Sequence, residues 1–265
     1  MDWILVGIVD LNVNGAAIAT CISQVIGAVL PIAYFSLKNK SLLRLGKPKF
    51  NINVLFRTCS NGLSEFVSNV SACIISIVFN AQLMSLIGEN GVSAYGVMMY
   101  VNFIYVAVFI GYSIGTAPII GYNYGSNNKK ELHNIYKKSL FIMGSFGVIM
   151  TLLALALAHP ISKLYVGYNE ELFQLTKNAF YIFSFSFVFS GFSIFASSMF
   201  TALGNGIISA VISFLRTLVF QLACVYILPL ILGVNGIWLS MLIAEILSTL
   251  VAVILCITQK KKYGY

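Results

Sequence analysis

Charge is what this sequence has least of: 9% of its 265 residues are Asp, Glu, Lys or Arg, against about 25% in an ordinary soluble domain. With 59% hydrophobic residues as well, that scarcity excludes a soluble enzyme and a disordered chain. No glycine-rich phosphate loop followed by lysine, Cys-x-x-Cys pair, His-Glu-x-x-His or nucleophile elbow occurs, so ATP-driven chemistry and enzymatic activity are not expected. The five cysteines, Cys21, Cys59, Cys73, Cys224 and Cys256, all fall in apolar stretches. They are read as small apolar fillers, with no disulfide framework and no metal site. Two histidines, His133 and His159, flank loops and carry no catalytic expectation. Acidic residues number 8 against 16 basic ones, a formal charge of +8. In a soluble protein such an excess would suggest nucleic acid. Here the basic residues sit between long apolar runs, so membrane topology accounts for them and the partner is the lipid bilayer.

A bilayer core of about 30 Å takes roughly 20 helical residues to cross. Seven apolar runs have that length: Gly15 to Leu37, Ile52 to Ile87, Val92 to Ile120, Ile135 to Ala158, Phe173 to Ala202, Ile207 to Leu232 and Gly236 to Ile257. The expected fold is therefore an all-α polytopic membrane protein with seven transmembrane helices. The second run is long enough that its first turns, around Arg57, are interfacial. Helix-stop chemistry separates the runs: Gly88 to Gly91, Gly125 to Asn128, His159-Pro160, Gly204-Asn205-Gly206, and Pro229 before Gly233. Short connections make successive helices antiparallel neighbours.

Lysine and arginine set the orientation. Lys38, Lys40, Arg44, Lys47, Lys49 and Arg57 surround the first loop, Lys129, Lys130, Lys137 and Lys138 the third, and Lys260 to Lys262 form a basic tail. These groups alternate with the spans, which places all three, and the C-terminus, in the cytoplasm of a plasma (inner) membrane protein.

Val13-Asn14-Gly15 opens the first run and Val234-Asn235-Gly236 the last. Nine residues after each glycine stands a polar residue, Gln24 or Glu245. Membrane transporters are commonly built from repeats that leave only such faint traces. On this reading residues 1–37 are the end of a preceding lobe, its last helix. Residues 38–265 are one complete six-helix lobe with its basic tail, and roughly five helices lie upstream.

Several motifs resemble the multidrug and toxic compound extrusion (MATE) transporters. The stretch Asp2 to Thr20 resembles the approach to that family's sixth helix. Gly115-Thr116-Ala117-Pro118-Ile119-Ile120-Gly121-Tyr122-Asn123-Tyr124-Gly125 resembles the ending of its eighth, and is the most specific match. Thr201-Ala202-Leu203-Gly204-Asn205 resembles the turn after the tenth, and Gly233 to Trp238 with Glu245 the start of the twelfth. The resemblance implies an exporter of two six-helix lobes, antiporting organic, cationic drugs against inward Na+ or H+, with no other cofactor. This chain matches the C-terminal lobe and the last helix of the N-terminal lobe, so the missing N-terminal lobe is an implied partner. Two alternatives remain open: a lipid-linked saccharide flippase of the same superfamily, or a non-transporting remnant that needs a partner lobe.

Polar groups inside the spans carry the candidate chemistry, since a charge at helix centre costs about 2.5 to 3.5 kcal/mol on insertion scales. Asn61, Glu65, Ser68, Asn69, Ala72 and Ser76 share one helix face. Glu65, with Asn61, Ser68 and Asn69, is the expected ion-coupling site: oxygen ligands for sodium, or a carboxyl for proton relay. The bland reading is a packing seam of small residues. Glu245, Asn102, Tyr105 and Tyr112 are the expected substrate-cavity residues, the tyrosines because aromatic faces attract organic cations. Arg216, deep in its span, is read as structural, snorkelling or paired with a carboxylate. Gly111, Gly115, Gly121 and Gly125, around Pro118, read as a close-packing, bendable stripe.

Overall fold

The computed structural model describes residues 2–7, 12–37 and 50–265. The loop of Lys38, Lys40, Arg44, Lys47 and Lys49 lies outside the described residues. Among those described, every regular element is helical, and they form two units, Met1–Ile52 and Asn53–Tyr265. The first unit holds α1 (Asp2–Gly7) and α2 (Asn12–Ser36). Apolar side chains along α2 such as Val25, Val29 and Leu30 are exposed, a surface suited to contact with lipid rather than water.

The second unit is built from α3 (Ile52–Leu86), α4 (Glu89–Gly125), α5 (Lys129–Val166), α6 (Glu170–Ser184), α7 (Phe187–Ala202), α8 (Gly206–Phe214), a π turn (Leu215–Val219), α9 (Phe220–Leu232) and α10 (Val234–Tyr263). Six helices in the described chain are long and apolar enough to cross a membrane, or seven when the bent α6–α7 pair counts as one crossing. Each of the seven apolar runs corresponds to one of these six helices or to the bent pair.

One stop differs from expectation: helix α5 continues through His159-Pro160 to Val166. Helix α9 passes through Pro229 and ends at Leu232, where the sixth run ends. A proline forfeits one backbone hydrogen bond, and membrane helices tolerate this where neighbouring groups satisfy the freed carbonyl. The actual stop after α5 is Gly167, followed by Asn169, whose side chain caps α6 by accepting from the Leu172 amide at 3.2 Å.

The fifth run, expected as one helix, is bent by 52° between α6 and α7. Thr151 of α5 donates to the Ser184 carbonyl at 3.1 Å, providing an interhelical partner beside the break. Ser184 and Ser190 bond back to Phe180 and Ser186, a pattern that loosens helices locally. A Cβ on Gly147 would come within 2.9 Å of the Phe187 carbonyl. The close approach of α5 therefore shapes the bend.

Among the described residues the glycine stripe of α4 is not a packing seam. A methyl group on Gly111, Gly115 or Gly125 would meet open space, and only at Gly121 does it touch a neighbour, the Ala202 carbonyl at 3.4 Å. Tight approaches occur instead at Gly206, where α8 abuts the Ser60–Asn61 backbone, and at Gly236, which abuts the Leu228 carbonyl. The turns feeding these two helices need the left-handed conformations of Gly204 (φ 76°) and Gly233 (φ 59°). Hence the Leu-Gly-Asn and Gly-Val-Asn-Gly motifs are devices of chain reversal.

The basic tail is folded rather than free. Lys260 to Lys262 occupy the last turn of α10, where cations complement the helix dipole. Tyr263 takes a 2.7 Å hydrogen bond from Asn205 and packs on Tyr124, while Tyr265 is buried against Tyr136 and donates to the Cys256 carbonyl. Burial, above any neighbouring group, pushes the Tyr265 phenol well above the usual tyrosine range. These contacts bring the start of α5 and the end of α10 to one end of the bundle, so two of the three basic clusters lie together.

Candidate transport site

The buried face of α3 is the stripe Ser64, Ser71, Ile75, Phe79 and Leu83, spaced to pack against the bundle. Phe79 stacks on Tyr95 of α4 at 5.3 Å. The polar face flanks this stripe and borders several hollows, two of which share Arg216.

The larger cavity, about 690 Å³, is walled by Ala72 and Ser76 of α3, Tyr95, Asn102 and Phe103 of α4, and polar residues near the π turn, including Arg216 and Gln221. Glu245 of α10 closes one side. The smaller, about 180 Å³, is lined by Glu65, Ser68, Ser113, Ser193, Ser197, Ser198 and Ser213. Arg216 lines both.

Arg216 and Glu245 form an ion pair inside the bundle. The guanidinium donates through Nε to both carboxylate oxygens at 3.0 and 3.1 Å and through Nη2 to Oε1 at 2.9 Å. Ser193 donates to Oε2 at 3.3 Å. Glu245 is 6% exposed, and the Arg216 side chain is 17% exposed. Both carboxylate oxygens thus accept from the guanidinium, the geometry that favours a charge pair largely withdrawn from water. Arg216 sits within the π turn, where i→i+5 bonding widens the backbone; such turns are frequent at functional sites. Gln24, the residue matching Glu245 by repeat, is exposed.

Beside the smaller cavity runs a chain of hydroxyls. Ser213 meets Ser197 at 2.9 Å, Ser197 meets Ser209 at 2.8 Å, Ser209 meets Thr201 at 2.7 Å, and Thr201 approaches Ser64 at 3.4 Å. These groups satisfy one another between α3, α7 and α8.

The expected ion-coupling residues are divided by this geometry. Glu65 and Ser68 share the smaller cavity, with Glu65 exposed on it rather than buried. Asn69 lines neither cavity, and its side-chain amide donates to the Glu65 carbonyl at 2.8 Å. Asn61 borders a separate hollow with Arg57, Ser60, Gly204 and Gly206, and its buried Oδ1 has no hydrogen-bond partner. The buried carboxylate of the described chain is Glu245.

Of the expected cavity residues, Glu245 and Asn102 line the larger cavity. Tyr105 and Tyr112 do not. Tyr105 is buried against Phe187, ring centroids 4.9 Å apart, and Tyr112 bonds Ser139 at 3.0 Å. Seven-residue spacing placed them on one face of α4, but periodicity does not say which face meets the cavity. That face carries Tyr95, Met99, Asn102 and Val106. The Arg216–Glu245 pairing had a signal in sequence, because both residues stand nine positions into adjacent antiparallel spans from opposite ends. Nine residues at 1.5 Å each put both near mid-depth of a core about 30 Å thick.

Residues 65–227 match the MatE family model, more than half of the sequence. The chain belongs to the MatE family. It is 26% identical over 259 residues to a "Multidrug export protein MepA" of Staphylococcus aureus (strain bovine RF122 / ET3-1), covering 96% of this chain and 56% of that protein. A Staphylococcus haemolyticus (strain JCSC1435) protein of the same name is 27% identical over 256 residues, covering 95% and 55%. The chain thus spans about half the length of the curated relatives it matches. Among solved structures, the outward-facing conformation of a multidrug resistance MATE transporter of the MOP superfamily superposes with TM-score 0.90 at 21% identity, over 98% of this chain and 59% of that one. A MOP superfamily transporter from Pyrococcus furiosus gives 0.88 at 22% identity, over 99% and 60%. With its apolar crossings and bacterial relatives, the chain is a multi-pass plasma membrane protein.

Proposed function

We propose that this chain supplies one lobe of a secondary active multidrug exporter, which moves organic cations outward against Na+ or H+ and works together with a second six-helix lobe. The observation that carries this reading is the 690 Å³ cavity at mid-span, of a size suited to drug-sized molecules. It has aromatic and apolar walls, with Glu245 as its acidic group. Its one cation, Arg216, is neutralised by that carboxylate. This favours a drug exporter over a flippase for anionic lipid-linked precursors, whose cavity would need unpaired cations. Glu65, reached from the smaller cavity, is the proposed coupling-ion ligand, with Ser68 beside it.

Joined to an N-terminal lobe in an exporter-deficient cell, the chain is expected to confer drug resistance. Glu65→Gln is expected to abolish that resistance while leaving the protein in the membrane. Unchanged export and unchanged ion dependence in the variant would remove Glu65 from the mechanism.

In this proposal the C-terminus is cytoplasmic, because the clusters at the start of α5 and the end of α10 lie at one end and lysine-rich ends stay inside. A membrane-impermeant thiol reagent applied to intact cells is expected to label a cysteine introduced at position 169 and to spare one at 262. Labelling in the reverse pattern would invert the topology.

A further inference from the structure

Arg216 raises a problem for any cationic ligand of the larger cavity. The carboxylate that would attract the ligand is already occupied, by a guanidinium held through three hydrogen bonds. A cation pairing with Glu245 must displace Arg216, and a displaced guanidinium left unpaired inside the bundle costs several kcal/mol. Displacement is therefore feasible only if a second acceptor stands within reach.

A candidate acceptor, Glu65, lines the smaller cavity that Arg216 also lines. The smaller cavity is bordered by Arg216 and Glu65, and no ion pair links them in this state. The same cavity is lined by the hydroxyls of Ser197, Ser213 and Ser193, whose oxygens can accept from a guanidinium in passage. The arginine stem is long and flexible, and its root lies in the π turn, where the helix has already departed from regular bonding. Together the linings of the two cavities carry two carboxyl groups and one guanidinium. One carboxyl always lacks a tethered partner.

We propose that Arg216 is a tethered cation that exchanges between Glu245 and Glu65. When an organic cation with an apolar or aromatic body enters the larger cavity and pairs with Glu245, Arg216 crosses to Glu65. When the ligand leaves, Arg216 returns. Tyr95 and Phe103 receive the body of the ligand, and their ring faces favour its charge. Arg216 is thus a specificity-determining residue: a ligand without a cationic head cannot replace it, and Glu65 reports the occupancy of the larger cavity to the smaller one. The ligand half of this proposal rests on the exporter reading above; the exchange half does not, and the test separates them.

The exchange is read without ligand, by thermal unfolding of the purified 265-residue chain in detergent as wild type, Glu65→Gln, Glu245→Gln and the double variant. In wild type Glu65 is exposed and makes no ion pair. Its replacement alone is expected to move the midpoint little. In Glu245→Gln, Arg216 turns to Glu65, so adding Glu65→Gln is expected to lower the midpoint by several degrees. Additive effects would overturn the exchange, whatever any ligand does.

The ligand half is read by equilibrium binding of radiolabelled tetraphenylphosphonium to the same variants joined to an N-terminal lobe. Glu245→Gln is expected to weaken binding about tenfold, and Arg216→Lys, which loses the bidentate grip, to strengthen it about tenfold. Glu65→Gln is expected to weaken binding when Arg216 is present and to have no effect with Arg216→Gln, which has no charge to rehouse. Equal weakening in both backgrounds would make Glu65 a direct ligand and overturn the relay. Non-additive unfolding with no tetraphenylphosphonium binding by wild type or Arg216→Lys would keep the exchange and overturn the organic-cation reading.

Discussion

Arg216→Met alone is expected to destabilise the chain by about 3 kcal/mol, because it leaves the Glu245 carboxylate inside the bundle with only Ser193 as a donor. Adding Glu245→Leu is expected to recover most of that loss. An ion pair replaced as a whole by apolar groups of similar size is close to neutral, since the desolvation cost of both charges disappears together with their attraction. The measurement is unfolding in detergent micelles, compared across wild type, both single variants and the double. A single variant as stable as wild type would mean that water reaches Glu245 freely. The double variant is expected to fold and yet lose tetraphenylphosphonium binding, because the pair serves ligand recognition more than stability.

Gly206→Ala is the second substitution with a large expected effect, about 3 kcal/mol of destabilisation. The added methyl would run into the carbonyl of Ser60, and the Asn61 Cα lies only 2.6 Å from its position. These obstacles are backbone, so no side chain can turn aside and α8 must separate from α3. Separation also pulls Ser209 from Thr201 and Thr201 from Ser64, breaking the hydroxyl chain. Gly62→Ala is the matched control on α3, where a methyl group meets open space. There alanine is expected to stabilise by roughly 0.5 to 1 kcal/mol through its better helix propensity. Equal effects at the two positions would mean that α8 does not rest on α3 as the structure has it.

Where the sequence was legible, it was so through length and hydropathy. The seven apolar runs became helices or, in one case, a bent helix pair, because about 20 apolar residues have no stable alternative to a helix in hydrocarbon. Gly204 and Gly233 marked turns because only glycine enters positive φ freely. Two inferences failed for one shared reason: a local rule was applied where a neighbouring helix decides. Pro160 does not end α5, and among the described residues a methyl group on Gly111 or Gly115 would meet open space. Tyr105 and Tyr112 share a face, as their spacing requires, but the face is the core, where Phe187 and Ser139 meet them.

The sequence by itself determined the all-helical membrane architecture, the turns, the family and the short inventory of groups that can carry charge inside the membrane. Each of these follows from local chemistry: transfer free energy, backbone sterics and the scarcity of charge. Only the tertiary structure decided which charge stands beside which. Arg216 and Glu245 are separated by 29 positions and lie on different helices, yet are joined by hydrogen bonds of 2.9 to 3.1 Å. Glu65, on a third helix, is brought to a cavity that Arg216 also borders. Helix rotation fixes these meetings, and rotation is set by packing against neighbours, the 52° bend after α6 and the π turn at Arg216, none of which is written in the hydropathy of a single span.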